Sequence, residues 1–284
     1  MSVNTARVTT APTRRVPSPR TGFPFLDAVL EQPGSVLAFA HRGGAYHPEL
    51  EGLENTLAAF QHAVDLGYDS LETDVHATRD GVLLAFHDAA LDRVTDRQGE
   101  IASLTVAEVL ESLIGGRERV PRLRDLIERF PQVRFNIDLK SDAAVPLLAQ
   151  LVAELDVWDR VLVGSFSRRR LNRFRRLTGG RVPTSAHPAE VVLFRLLPSA
   201  RLADLLTRGR VACLQIPHRR GRLVVTTPGL VRRAHRVGKH VHVWTVDDPA
   251  EMRLLLDRGV DGLMTDRTDL LKEVLIERGQ WRDA

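Results

Sequence analysis

GYDSLETDVH, residues 67–76, is the stretch on which the fold turns. Read as an extended strand over 69–76, it sends Leu71, Thr73 and Val75 to one face and Glu72 and Asp74 to the other, because side chains alternate along a strand. The plain alternative is a solvated polar edge. GYDSLETD at 67–74 returns as GVDGLMTD at 259–266, identical at five of eight positions, as repeated βα units would. In the second copy Met264 stands in place of Glu72 and only Asp266 survives, so the βα unit itself does not demand paired acids.

Outward from this unit, β-rich runs alternate with amphipathic patterns from Ser35 onward, which is how βα units feeding a parallel sheet look in sequence. Strands are expected at 35–40, 69–76, 133–139, 161–165, 182–186, 211–216, 240–246 and 261–265. Helices are expected at 57–66, 145–155, 168–177, 230–237 and 249–258, with Gly67, Gly238 and Gly259 as stops. The fold class is therefore α/β, a single-domain (β/α)8 TIM barrel over 34–279. The segment 82–131 is too long for one βα connection. It reads as an excursion above the barrel mouth after the second strand, with a hairpin strand at 82–86 and helices near 106–113 and 123–129. Residues 1–22, rich in Thr, Pro, Ser and Arg, read as a disordered N-terminal tail.

Composition removes several function classes. A chain of 284 residues with 43% hydrophobic content can bury a large core. A formal charge of +4, scattered along the chain, argues against nucleic acid as a partner. No run approaches the ~20 apolar residues of an integral membrane segment. The tail has no signal-peptide apolar region, and the single Cys213 excludes an internal disulfide, so a cytoplasmic location is expected. Of the 40 basic residues only Lys140, Lys239 and Lys272 are lysine, which makes any lysine informative.

Glu72 and Asp74 on one face repel each other unless a proton or a cation lies between them, and carboxylate oxygens are what Mg2+ or Ca2+ takes. Asn136, Asp138 and Lys140 repeat the geometry on a second strand, with Phe135, Ile137 and Leu139 facing away. A compact ammonium beside Asp138, in a chain that otherwise uses arginine, suggests a requirement; the alternative is a plain ion pair. His41 and Arg42 end the run VLAFA and precede Gly43 and Gly44, which let the backbone approach a ligand closely. His87 follows VLLAF in the same way, with Asp88 next to it to orient the imidazole. Trp244 offers a flat apolar wall near the mouth or ordinary barrel packing. His47 and His62 read as loop and helix surface, His187 and His218 as loop residues, His235 as helical, and His240 and His242 as polar barrel filling.

These residues fall into an ordered series: HRGG at 41–44, ENT at 54–56, ETD at 72–74, HD at 87–88, NIDLK at 136–140, SF at 165–166, WTVD at 244–247 and DGLMTD at 261–266. The series resembles the glycerophosphodiester phosphodiesterase family and covers roughly residues 36–271. The resemblance implies metal-dependent hydrolysis of glycerophosphodiesters to glycerol 3-phosphate and an alcohol, on a TIM barrel. It implies one divalent cation, Mg2+ or Ca2+, on Glu72, Asp74 and Asp138, with His41 and His87 as general acid and base. Arg42 and Lys140 would bind the phosphate and Glu54 would support them from behind; the Trp244 wall, read from its position and not from the family, suits a substrate's carbon skeleton. Water or the glycerol 2-hydroxyl as nucleophile would use the same acid and base.

Three positions depart from the family pattern: Leu53 and Thr268 stand where Pro is usual, and Asp138 where Glu is commoner. Asp138 reaches about one C–C bond less far, so a metal there shifts or is met through water. Phospholipase D toxins look similar at this position. Two other readings stay open: lysophospholipase D-type cleavage of lysophospholipids, which calls for an apolar patch on the 82–131 excursion, and a catalytically silent phosphate-ligand binder.

Overall fold

Seven parallel strands form one curved sheet: in chain order Leu37–His41, Ser70–Ala77, Arg134–Leu139, Val161–Gly164, Cys213–Pro217, His240–Trp244 and Gly262–Thr265. The structure is a computed structural model that describes residues 17–32 and 34–282. The sheet closes through residues 184–185, where Thr184 bridges Val163 and Ser185 bridges Cys213, both in parallel register. The strand expected at 182–186 is thus reduced to two bridging residues. Pro183 has no N–H to give a ladder, yet its carbonyl accepts from the Val163 amide at 3.0 Å, and Thr184 O accepts from the Ala212 amide at 2.9 Å. The fold is the expected single-domain (β/α)8 barrel.

Each strand is buried on both sides. Leu71, Val75, Phe135, Ile137, Val161, Val163, Val241 and Val243 face out and pack with the surrounding helices in the principal core. Helix starts are written locally: Thr56 accepts from the Ala59 amide to begin Leu57–Asp65, and Asp248 accepts from Glu251 to begin Pro249–Asp257. Gly67 and Gly259 end those helices with φ of 90° and 84°. Three helices that the periodicity did not mark, Pro188–Leu196, Ala200–Leu206 and Thr268–Glu277, complete the shell. His187 is the N-cap of the first of them, sharing a capping box with Glu190.

The inward faces form layers. At the N-terminal end Leu37, Phe39, Leu162, Cys213 and Met264 make an apolar floor, plugged from outside by Phe25, Leu26 and Val29 of the short helical segment Pro24–Asp27 and Ala28–Leu30. Phe25 stacks on Phe39 with ring centroids 6.4 Å apart. Above the floor Asn136, Gln215 and buried His242 form a polar layer, with Gln215 Nε2 donating to Asn136 Oδ1 at 3.0 Å. Residues 1–16 of the expected tail lie outside the described residues. Its remaining part runs against the barrel: His240 Nε2 contacts Pro19 O at 2.9 Å, and Asp27 accepts from the amides of Thr21 and Gly22.

In the 82–131 excursion Leu83–Ala85 pairs antiparallel with Ser70–Ala77 and Leu123–Arg129 is helical as expected, but the helix expected near 106–113 is a single turn, Val106–Val109, because Leu113 enters a strand pairing. A small hairpin, Leu113–Ile114 with Glu118–Arg119, lies between those helices. Leu84, Phe86, Leu91, Ile101, Val109, Ile114 and Val120 give the excursion a hydrophobic core of its own. Among the described residues no helix is long and apolar enough to cross a membrane.

The plug makes a direct prediction. Phe25→Ala empties a fully buried aromatic site and should cost ~3–5 kcal/mol of unfolding free energy by urea titration. A loss under ~1 kcal/mol would mean that this segment does not close the barrel floor.

Candidate active site

Strand register assembles the C-terminal mouth. His41 lies opposite Glu72, Glu72 opposite Asn136, Asp74 opposite Asp138, and Asp138 opposite Gly164. The inward residues of four adjacent strands therefore meet on one rim, as barrel active sites do. Gly164 leaves the gap they need: a Cβ there would come within 3.3 Å of Gln215 Oε1 and Ser185 Oγ.

The turn after the first strand is tight. Arg42, Gly43 and Gly44 all have positive φ, at 50°, 86° and 90°, and Gly43 lies so close to the next helix that a Cβ would meet Ala59 Cβ at 2.7 Å. Asn55 is also left-handed, with φ 57°, and its amide donates to Arg42 O at 2.9 Å, tying HRGG to ENT. Left-handed conformations are costly for residues with a side chain, so the surroundings must enforce these two. Asn55 anchors the arrangement by accepting from Thr73 Oγ1 at 2.7 Å and donating Nδ2 to Asp74 Oδ2 at 3.2 Å.

Charges at the rim interlock. Lys140 Nζ bridges Asp138 Oδ2 at 2.6 Å and Asp74 Oδ1 at 3.0 Å. Arg42 Nε lies 3.2 Å from Asp74 Oδ2, and its Nη1 is 3.1 Å from Glu54 Oε1. Burial raises the Asp74 pKa, but Lys140 and Arg42 outweigh it and hold the carboxyl below its ordinary value. Glu72, buried and next to the Asp74 charge, is pushed up to about 7. It accepts from the Arg42 amide at 3.2 Å. Asp138 Oδ1 is buried and has no hydrogen-bond partner among the described residues.

Both expected histidines are oriented by a carboxylate on Nδ1. His41 Nδ1 meets Asp266 Oδ1 at 2.8 Å, which leaves Nε2 on the side of Glu72, 3.8 Å away. His87 Nδ1 meets Asp88 Oδ1 at 2.6 Å. Burial pulls the His41 pKa down, but Glu72 and then Asp266 outweigh it and bring it up to about 9. Arg93, from the excursion, clamps Asp88 through Nε at 2.6 Å and Glu54 through Nη2 at 2.6 Å, so His87, Glu54 and Arg42 belong to one chain of contacts. Trp244 packs edge-on against Phe166, ring centroids 5.7 Å apart, and Phe166 is 64% exposed.

The structure thus gathers His41, Arg42, Glu54, Glu72, Asp74, Asp138 and Lys140, with His87 joined through Asp88 and Arg93. The three acids are not gathered around one point, because the Lys140 ammonium lies between Asp74 and Asp138. Sequence reading assigned no role to Asp266, Asn55 or Arg93. The echo carried the signal for Asp266, the acid retained in both copies. Nothing in the sequence sets Arg93 apart from the other arginines. His240 and His242, which could have shared the Trp244 face at the mouth, are fully buried within the barrel.

Two oriented imidazoles beside an Arg, a Lys and several acids suit reactions at a phosphate, where cations offset charge on oxygen and rings move protons. Residues 41–270 match the glycerophosphoryl diester phosphodiesterase family, and the chain belongs to that family. It is 40% identical, over 88% of its length and 95% of the relative's, to a Mycobacterium tuberculosis protein named "Probable glycerophosphodiester phosphodiesterase 2". It is 29% identical to the lysophospholipase D GDPD1 of Rattus norvegicus, covering 83% of this chain and 85% of that one. The crystal structure of a glycerophosphodiester phosphodiesterase from Agrobacterium tumefaciens superposes with a TM-score of 0.67 at 25% identity, covering 83% and 99% of the two chains. The enzyme is accordingly a phosphoric diester hydrolase of the glycerophosphodiester class.

In metal-free protein His41 should titrate near pH 9 by NMR, and Asp266→Asn should move that titration down. Because the folded value lies above the ordinary 6.5, the stability contributed by the charged ring is full below pH 6.5 and lost as pH rises through about 9. The variant should lose less stability over that window, and an unmoved His41 titration would remove Asp266 as its partner.

Proposed function

We propose that the barrel mouth hydrolyses glycerophosphodiesters to glycerol 3-phosphate and an alcohol, with His41 and His87 as the acid–base pair. The observation that carries this reading is that each imidazole has its Nδ1 fixed by a carboxylate, Asp266 or Asp88. A ring so held presents Nε2 in one orientation, as a group that moves a proton at a reacting oxygen requires. The silent-binder reading gives no reason for two such pairs.

Arg42 and Lys140 bind the phosphate in this reading, Glu54 holds the Arg42 guanidinium, and Trp244 with Phe166 borders the alcohol side. Glu72, Asp74 and Asp138 would hold one Mg2+ or Ca2+. The all-carboxylate donor set and the partnerless Asp138 Oδ1 suit a hard cation, which would displace the Lys140 ammonium from between Asp74 and Asp138. A cation bound there would offset charge on the phosphate oxygens. His41 and His87 would deliver and remove protons at the attacking and leaving oxygens.

A second reading, lysophospholipid cleavage, is favoured by the exposed Phe166 beside Trp244 and by the rat relative. The apolar patch it called for on the excursion is not there: among the described residues of that segment no large hydrophobic side chain is exposed.

EDTA should abolish release of glycerol 3-phosphate from glycerophosphocholine, and restored Mg2+ or Ca2+ should return it. His41→Ala and His87→Ala should each lower kcat by ~10²–10⁴-fold. Full turnover in EDTA, or in both histidine variants, would overturn the proposal. Phe166→Ala should reduce turnover of lysophosphatidylcholine far more than of glycerophosphocholine if the second reading holds. Equal effects on both would reject that reading alone.

A further inference from the structure

His47 and His62, read from the sequence as ordinary surface histidines, meet in the structure. Their rings lie 4.3 Å apart by centroid and 52° apart in plane. Glu49, two residues beyond His47 on the loop after the first strand, brings a carboxylate to the same spot. One ligand atom from each of His47, Glu49 and His62 lies within 4.8 Å of the others. Among the described residues they are the group of histidines and acids that converges this tightly, whereas the mouth carboxylates are spanned by Lys140.

The spacing matters more than the proximity. His62 Nε2 and Glu49 Oε2 are 3.6 Å apart, too long for a hydrogen bond. Two ligands of a tetrahedral ion at ~2.0–2.1 Å stand about 3.3 Å from each other. The nitrogen of His62 that faces Glu49 is Nε2, and the Glu49 amide donates to His47 Nδ1 at 3.3 Å, which leaves Nε2 as the ligand atom of that ring. Two imidazoles and one exposed carboxylate, with solvent at the remaining position, suit a borderline ion of the Zn2+ type and not the oxygen-seeking Mg2+ or Ca2+.

We propose that His47, Glu49 and His62 form a second metal site, distinct from the carboxylates of the mouth, that binds Zn2+. Its position gives the ion a structural effect. His47 and Glu49 lie on the loop that connects HRGG to ENT, and His62 lies on the helix Leu57–Asp65 that follows. A bound ion staples that loop to its helix, and the loop carries Arg42 at one end and Glu54 and Asn55 at the other.

The test uses the full chain stripped of metal, titrated with Zn2+ by calorimetry and with Co2+ by visible absorption, beside Glu49→Gln, His62→Ala and Asp138→Asn. Glu49 is exposed, so its replacement keeps the test meaningful even if His62→Ala folds poorly. The expected result is one Zn2+ bound in wild type and in Asp138→Asn, weakened on the order of 10–100-fold in Glu49→Gln and His62→Ala. Wild type should also show Co2+ bands of a nitrogen-ligated site and a Zn2+-dependent rise in melting temperature, both lost in His62→Ala. Unchanged Zn2+ affinity in Glu49→Gln and His62→Ala, or Zn2+ binding lost only in Asp138→Asn, would overturn the site. Neither outcome depends on turnover, so failure here leaves the hydrolase reading untouched.

Discussion

The pairing of Ser70–Ala77 with Arg134–Leu139, in the register that sets Asp74 against Asp138, is the constraint on which the rest depends. A strand alternates its faces, so a shift by one residue would turn Glu72 and Asp74 into the helix-packed layer and bring Leu71 and Val75 to the mouth. The register is held from the apolar side. Leu71, Val75, Phe135 and Ile137 are fully buried in one core, and burying an unpaired carboxylate there would cost several kcal/mol. The hydrophobic layer thereby decides where the charges stand.

Once placed, the charges constrain one another. Asp74 receives Lys140 from the neighbouring strand, Arg42 from the first turn and Asn55 from the end of that loop. A single buried acid thus ties three separate chain segments together. Glu72 gains less from these cations, and burial beside the Asp74 charge holds its pKa above the ordinary carboxylate value. The unequal treatment of two acids two residues apart follows from which cations reach each of them.

Much of this was legible in sequence because it repeats with a short period. Alternation gave the inward positions of Glu72, Asp74, Asp138 and Lys140, and glycine placement gave the helix ends. The strand at 182–186 contracted because Pro183 interrupts the donor pattern while leaving acceptors in place. What sequence could not yield were contacts between distant segments. Asp266 meets His41 across nearly the whole chain, Arg93 reaches Glu54 from the excursion, and His47 meets His62 only after the loop folds back. None of these pairs has a spacing that marks it; closure of the barrel and packing of the excursion create them.

The excursion's separate core has a consequence for the molecule's energy levels. Leu84, Phe86 and Leu91 flank His87 and are packed with Ile101 and Val120, not with the barrel's main interior. By the general rule that stability is divided among cooperative subregions, a segment with such a core is expected to open at a lower free energy than the whole barrel. That opening would carry His87 away from a rim on which Glu72, Asp74, Asp138 and Lys140 stay fixed by the barrel strands. The molecule would then have an intermediate level of order in which the barrel rim persists without its second imidazole.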